Sequence, residues 1–330
     1  MADIKTNFAG LELKSPIIVG ASGLTGSTKH LKDFEQNGAG AIVLKSIFEE
    51  EIVFEYNKFV EEAEKYGYDY EFIDYFDYKI KQDNLDKYIS LIEEAKKTVN
   101  IPVIASINCI TPNEWTYFTK RIKAAGADAL ELNIFILPSD LNKSSEEIEN
   151  IYFKVVEEVK KEVDLPVIVK MSYFFTNLGQ MIIKLSEKAD GLVLFNRFYN
   201  PDIDINTRKI VPASIFTSPN DIVIPLRWVA ITSGRVKSSL AASTGIHDGT
   251  GLIKILLAGA DAVEIVSTIY KNGAVQIKKM LDDLELYMNE NNFSSLSELK
   301  GLLSQKNIKN PGLYERVQFM RYFSDYNEEL

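Results

Sequence analysis

Short unbroken apolar runs alternate along this chain with longer stretches of helical periodicity. Eight such runs stand out: Pro16–Ser22, Ala41–Ser46, Pro102–Asn108, Ala129–Phe135, Pro166–Ser172, Gly191–Arg197, Ser238–Thr244 and Ala262–Thr268. They are continuous rather than alternating, the mark of strands covered on both faces and hence of a parallel sheet. Ser15-Pro16, Ile101-Pro102 and Leu165-Pro166 bias the chain to an extended entry. Gly38-Ala-Gly-Ala41, Gly126-Ala-Asp-Ala129, Lys188-Ala-Asp-Gly191 and Gly259-Ala-Asp-Ala262 precede four other runs. There a helix ends at or near glycine and a strand starts at once.

The intervening patterns are helical. Asn84–Thr98 carries Leu85, Tyr88, Ile89, Ile92 and Ala95 on one face. Ser144–Val163 opens on a Ser144-x-x-Glu147 capping box. Leu178–Lys188, Pro225–Ile231, Gly249–Leu257 and Gly273–Glu290 complete the set. Eight strand–helix alternations predict an α/β fold, the (β/α)8 TIM barrel, spanning the 330 residues as one unit. From about residue 291 the sequence reads as a tail of polar helices on the barrel's flank. Two long connections, Glu49–Tyr78 and Phe198–Ile224, fall at the C-terminal ends of strands, where a barrel keeps its substrate loops.

Composition narrows the chemistry. A net charge of −10 argues against a nucleic-acid partner. No apolar window is long enough to cross a membrane, and the N-terminus lacks a secretory signal, so a cytoplasmic protein is expected. The single Cys109 excludes an internal disulfide and a four-thiolate cluster, and two histidines make an all-histidine metal site improbable; no metal site is expected.

The strand ends carry the candidate chemistry. Leu240-Ala-Ala-Ser-Thr-Gly-Ile246 and Ala262-Val-Glu-Ile-Val-Ser-Thr268 each stop in small residues that leave backbone N–H groups uncovered beside a following helix. Such a pair after strands 7 and 8 suits a phosphate. The other ends supply Ala21-Ser22-Gly23, Lys45-Ser46, Asn108, Asn133, Lys170 and Asn196-Arg197. Two lysines and several amides converging with a phosphate site suit a planar, electron-rich ring.

In this order and spacing the chain resembles the dihydroorotate dehydrogenase family, with its dihydropyrimidine dehydrogenase relatives, from about Asn7 to Glu290. The stretches that carry the resemblance are Pro16-Ile-Ile-Val-Gly-Ala-Ser-Gly23, Val43-Leu-Lys-Ser46, Ala129-Leu-Glu-Leu-Asn133, Pro166-Val-Ile-Val-Lys170, Thr244-Gly-Ile246 and Leu257-Ala-Gly-Ala-Asp-Ala262 with Ser267-Thr268. The resemblance implies an FMN-dependent oxidoreductase acting on CH–CH groups. It places Ala21, Ser22 and Gly23 near the flavin, and Lys45 and Ser46 at its ring and ribityl chain. Asn108, Asn133 and Asn196 would line the pocket, and Lys170 would face the N1–O2 side. Thr244, Gly245, Ser267 and Thr268 would cradle the phosphate. Lys45, Asn133, Asn196 and Arg197 would meet a dihydropyrimidine-like or other small anionic substrate. A homodimer is a further expectation of the same origin. With one cysteine the chain cannot hold a cluster alone, so electrons would leave to a soluble acceptor or to a separate electron-transfer subunit.

The chain also departs from the family. The family's loop after strand 4, Asn-x-Ser-Cys-Pro-Asn or a serine variant, here reads Asn133-Ile-Phe-Ile-Leu-Pro-Ser-Asp140, so Ile136 stands at the place of the base. Isoleucine cannot take a proton, and Ser139 is displaced by three residues. The family's substrate loop after strand 2 has no counterpart, and no catalytic residue is assigned. Arg197 could grip a carboxylate or pair with Asp202 or Asp204. Cys109 reads as a small core residue, His247 as a loop donor, and the aromatic, acidic Tyr66–Tyr78 as a lid or a dimer contact. Two other readings stay open: a flavin-binding barrel without dehydrogenase activity, and a non-flavin phosphate-substrate lyase or aldolase with Lys170 as the nucleophile.

Overall fold

The computed structural model describes residues 2–48, 50, 51, 54, 70–108, 119–134, 136–198 and 200–315. Eight parallel strands form the barrel: β1 (Ile17–Val19), β2 (Ala41–Val43), β3 (Val103–Asn108), β4 (Ala129–Asn133), β5 (Val167–Met171), β6 (Gly191–Leu194), β7 (Ser239–Ser243) and β8 (Ala262–Ile265). Each pairs with its sequence neighbour; β8 returns to β1 and β2 pairs β3, which closes the ring. Every strand falls inside its expected run. The runs extend further because their last residues leave the ladder and turn onto the C-terminal face.

The lower barrel is plugged from outside the repeat. A hairpin of Thr6–Phe8 and Leu11–Leu13 drives Phe8, Ala9 and Leu13 against Ile18, Val43, Ile104, Ile168 and Val193. Phe8 and Leu13 are fully buried, each stabilising the fold by roughly 1.5–3 kcal/mol. Gly191 is small for this reason, since a Cβ there would stand 3.0 Å from Ala9 Cβ and 3.1 Å from the Phe8 ring.

The Ala-Asp strand entries have a second use beyond ending helices. The backbone N–H of Asp128 donates to Val103 O, that of Asp190 to Val167 O and that of Asp261 to Leu240 O. Their carboxylates accept the N–H of the same three residues at 2.7, 2.8 and 2.8 Å. Lys96, Lys160 and Lys300 then neutralise them at 2.6, 2.8 and 2.5 Å. Each aspartate thus clamps one strand's start to its neighbour. The fourth entry has Gly40 instead, where a Cβ would lie 2.1 Å from Ser15 O.

The helices follow expectation with shifted bounds: Ser145–Glu162, Leu178–Ser186, Val223–Thr232, Gly249–Ala258 and Val275–Glu290. Ser144 and Glu147 form the expected reciprocal cap. Four differences stand out. The helix expected from Asn84 begins at Tyr70, so Tyr70–Tyr78 is helix rather than loop. Its Ile73, Phe76 and Ile80 keep a helical spacing that the surrounding acids and tyrosines mask. The rest of the aromatic segment, Tyr66–Asp69, and Cys109 lie outside the described residues. The connection after β6 contains a hairpin, Pro201–Asp204 with Lys209–Pro212. A short helix, Ser267–Asn272, begins where the eighth run ends. Up to residue 315 the tail holds the four-residue helix Leu296–Leu299, turns and the 3-10 turn Pro311–Tyr314; the rest of the expected helical tail lies outside the described residues. The described part is tied to the barrel by backbone bonds from Gly301 to Leu256, Leu303 to Leu257 and Gln305 to Ala230. Among the described residues no helix is long and apolar enough to cross a membrane.

Candidate functional site

Inward positions recur every second residue along a strand. Above the apolar plug the next inward residues are Ser106 on β3, Glu131 on β4, Lys170 on β5, Ser243 on β7 and Glu264 on β8, all buried. The barrel interior therefore changes from apolar to charged within one step. Lys170 Nζ lies 2.5 Å from Glu264 Oε2 and 3.9 Å from Glu131 Oε1. Burial alone would favour the neutral amine, but the charges of Glu131 and Glu264 outweigh it and hold Lys170 protonated. Glu131 moves the other way: burial and then the Glu264 charge push its carboxyl well above the usual range, with Lys170 only partly offsetting them. Its Oε2 has no hydrogen-bond partner among the described residues. Beside it Ser46 Oγ meets Ser106 Oγ at 2.8 Å. Tyr88 OH donates to Ser106 O at 2.9 Å and accepts from Ser106 N at 2.7 Å, which fixes this part of β3.

A cavity of about 750 Å³ opens above Lys170 and Glu264, walled by Ala21, Asn196, Arg197, Ser243, Thr244, Gly245 and Ser267 and by residues 212 and 214–217. One end of its wall is the turn after β7. Thr244 and Gly245 have φ of 83° and 80°, two consecutive left-handed residues. Such a turn aims neighbouring N–H groups to one side and forms an anion-binding concavity. A β-branched residue there is strained, and strain of this kind collects at functional sites. Thr244 Oγ1 donates to Phe195 O at 3.2 Å and helps hold the turn. Gly245 is required by close approach, because a Cβ would stand 2.1 Å from Ile222 N.

The segment after the hairpin closes this end. Thr217 N donates to Ser267 Oγ at 3.1 Å, and Lys271 Nζ donates to Thr217 O at 2.7 Å. Thr217 Oγ1 and His247 Nε2 are 2.8 Å apart. Burial, and next the Lys271 charge, lower the His247 pKa, which favours its neutral form.

Half of the expected residues line this cavity. They are Ala21, Lys170, Asn196, Arg197, Thr244, Gly245 and Ser267. Asn196 Nδ2 donates to Asn133 Oδ1, so the two amides act as a unit. Asn108 and Ser46 are buried at neighbouring strand ends. Ser22 caps the 3-10 turn Gly23–Thr25, and a Cβ on Gly23 would come 2.9 Å from Tyr270 OH. Lys45 is half-exposed and pairs with Glu51 at 3.3 Å. Thr268 is buried with its hydroxyl committed to His247 O at 2.8 Å, so its side chain is not free to donate to a phosphate.

Arg197 does not pair with Asp202 or Asp204. It donates to Ile215 O and, at 2.7 Å, to Ser214 O, tying the post-hairpin segment to the end of β6. Asp202 and Asp204 instead accept bonds within their own hairpin. Ile136 is half-buried and packs on the core. Ser139 is exposed, and its hydroxyl faces Leu137 O at 3.5 Å.

Sequence reading missed Glu131 and Glu264. Both sit mid-run in apolar segments, where a carboxylate breaks the pattern. Counting inward positions from Lys170 across the register would have found them.

The description Dihydroorotate dehydrogenase matches residues 3–288. Curated relatives share the full length at low identity. The catalytic subunit of dihydroorotate dehydrogenase B (NAD(+)) from Thermoplasma volcanium is 28% identical, covering 92% of this chain and 99% of its own. Its counterpart from Methanocaldococcus jannaschii is 28% identical over 91% and 97%, and that from Petrotoga mobilis 28% over 92% and 100%. With a closed eight-stranded barrel and a match over nearly its whole length, the chain belongs to the dihydroorotate dehydrogenase family of FMN-dependent oxidoreductases.

Proposed function

We propose that FMN occupies the cavity above Lys170 and that the protein oxidises a small, anionic, dihydropyrimidine-like substrate there. One observation carries the reading: a buried, protonated lysine and a left-handed Thr244–Gly245 turn line the same cavity. A cavity of about 750 Å³ suits a mononucleotide, and its donor set matches the ligand's two ends. Thr244, Gly245 and Ser267 would hold the phosphate, and Lys170 with Asn133 and Asn196 the ring. Lys45 and Ser46 would stand at the ribityl side, with Ala21, Ser22, Gly23 and Asn108 around it.

FMN, when bound, supplies the two-electron acceptor. Lys170 keeps a positive charge where negative charge develops. The joined amides of Asn133 and Asn196 give a fixed donor–acceptor edge for orienting a planar ligand. Arg197 positions the segment that covers the cavity, and its remaining N–H groups are the donors nearest to hand for a substrate carboxylate. Electrons would leave to a separate electron-transfer subunit, since one cysteine cannot hold a four-thiolate cluster. A cytoplasmic homodimer completes the proposal. The exposed hairpin isoleucines Ile203, Ile205 and Ile210 support an interface between copies.

Ile136 favours a second reading, in which the barrel keeps FMN without dehydrogenase activity. Anaerobic mixing with dihydroorotate and with dihydrouracil separates the two. Bleaching of the visible flavin band by either compound supports the first reading, and no bleaching by either supports the second. A Schiff-base role for Lys170 is disfavoured, because a nucleophilic amine must be neutral and Lys170 is driven toward the charged form.

A further inference from the structure

The charged layer beneath the cavity holds more carboxylate than a single lysine requires. Glu264 Oε2 touches Lys170 Nζ at 2.5 Å, and both residues face the cavity floor. Room for this pair is made on β1's end. A Cβ on Gly20 would stand 2.9 Å from Val266 Cγ2 and 3.2 Å from Glu264 Oε2, so any larger residue would press on the carboxylate. Glu131 completes the layer at 3.9 Å from Nζ, and burial pushes its carboxyl toward the neutral acid form. The ammonium is thus in direct contact with the Glu264 carboxylate and presents a compensated pair rather than a free positive charge.

That difference matters to a redox ligand. A reduced flavin carries its negative charge toward the N1–C2=O side. A full positive charge there stabilises the reduced form, whereas a compensated pair presents only a dipole, whose field falls off faster. We propose that Glu264 is a positioning residue that compensates Lys170, so that FMN bound in this cavity has a lower two-electron potential than it would over an unpaired lysine. The inference rests on the FMN reading above and deepens it.

The test uses full-length protein reconstituted with FMN and two readouts independent of turnover: the midpoint potential and the affinity for sulfite. Sulfite adds more readily to a flavin whose N1 side faces net positive charge. Glu264→Gln is expected to bind sulfite about tenfold more tightly or better, as removal of a nearby unit charge implies. The same tenfold corresponds to a rise of about 30 mV in a two-electron potential. Glu131→Gln alters a carboxyl that stands 3.9 Å from Nζ, farther than Glu264, and is expected to move both readouts less than Glu264→Gln does. Should Glu264→Gln fail to retain FMN, Glu264→Asp draws the charge back by one methylene and is expected to give a smaller shift in the same direction. A variant that holds FMN stoichiometrically with unchanged potential and sulfite affinity overturns the role of Glu264 alone. Wild-type protein that takes up no FMN overturns the flavin reading and this one with it.

Discussion

Glu131 is the residue whose environment is most at odds with its chemistry. In the unfolded chain it ionises in the ordinary carboxylate range, while in the fold burial and Glu264 hold its proton on. The native state then binds more protons than the unfolded state above that range, so this group makes stability fall as pH rises toward its folded pKa. The limiting slope for one proton is about 1.4 kcal/mol per pH unit. Glu131→Gln removes the effect. The advantage of the variant over the parent is expected to be near zero at about pH 4.5 and to grow toward neutral pH. Denaturant midpoints at several pH values check this, and a constant difference would contradict it. Gly245 gives a second prediction at this scale. A methyl group 2.1 Å from Ile222 N forces the turn open. Gly245→Ala is expected to weaken FMN binding by roughly tenfold or more, equal to about 1.4 kcal/mol, measured by fluorescence titration of FMN.

At the level of elements, the aspartate clamps explain why so many strands begin alike. Asp128, Asp190 and Asp261 each satisfy a backbone N–H that the neighbouring strand would otherwise leave unpaired at the barrel's lower rim. Asp190→Ala strands the Val167 N–H and the Lys160 ammonium together, and a cost of about 1–3 kcal/mol is expected, read from thermal or denaturant unfolding. Asp190→Asn keeps an acceptor and is expected to lose less. These entries were legible in the sequence as boundaries, though not as clamps, because a helix stop and a side-chain acceptor leave the same Ala-Asp signature. The hairpin after β6 was not legible: Pro201–Asp204 and Lys209–Pro212 are short and mostly exposed, so no buried face imposes a period. The start of the helix at Tyr70 was hidden for another reason, since tyrosines and acids fill the sequence between its aliphatic residues.

The whole barrel divides into an apolar lower half and an upper half whose interior is polar and charged. Phe8 and Leu13 fill the lower half, and one inward step higher the interior carries Glu131, Lys170 and Glu264. The strand order and seven of the cavity-lining residues could be read from the chain because they sit at ends of apolar runs. The carboxylates of the charged layer could not, because only the register across three strands brings them together. The central claim is that this upper half holds FMN through Lys170 and the Thr244–Gly245 turn. It is tested most directly by equilibrium binding of FMN to the purified full-length chain and to Lys170→Met, followed by visible absorbance. The account predicts one FMN per chain for the parent and weaker binding by tenfold or more, about 1.4 kcal/mol, for the variant. A parent that binds no FMN, or a variant that binds it as tightly, would contradict it.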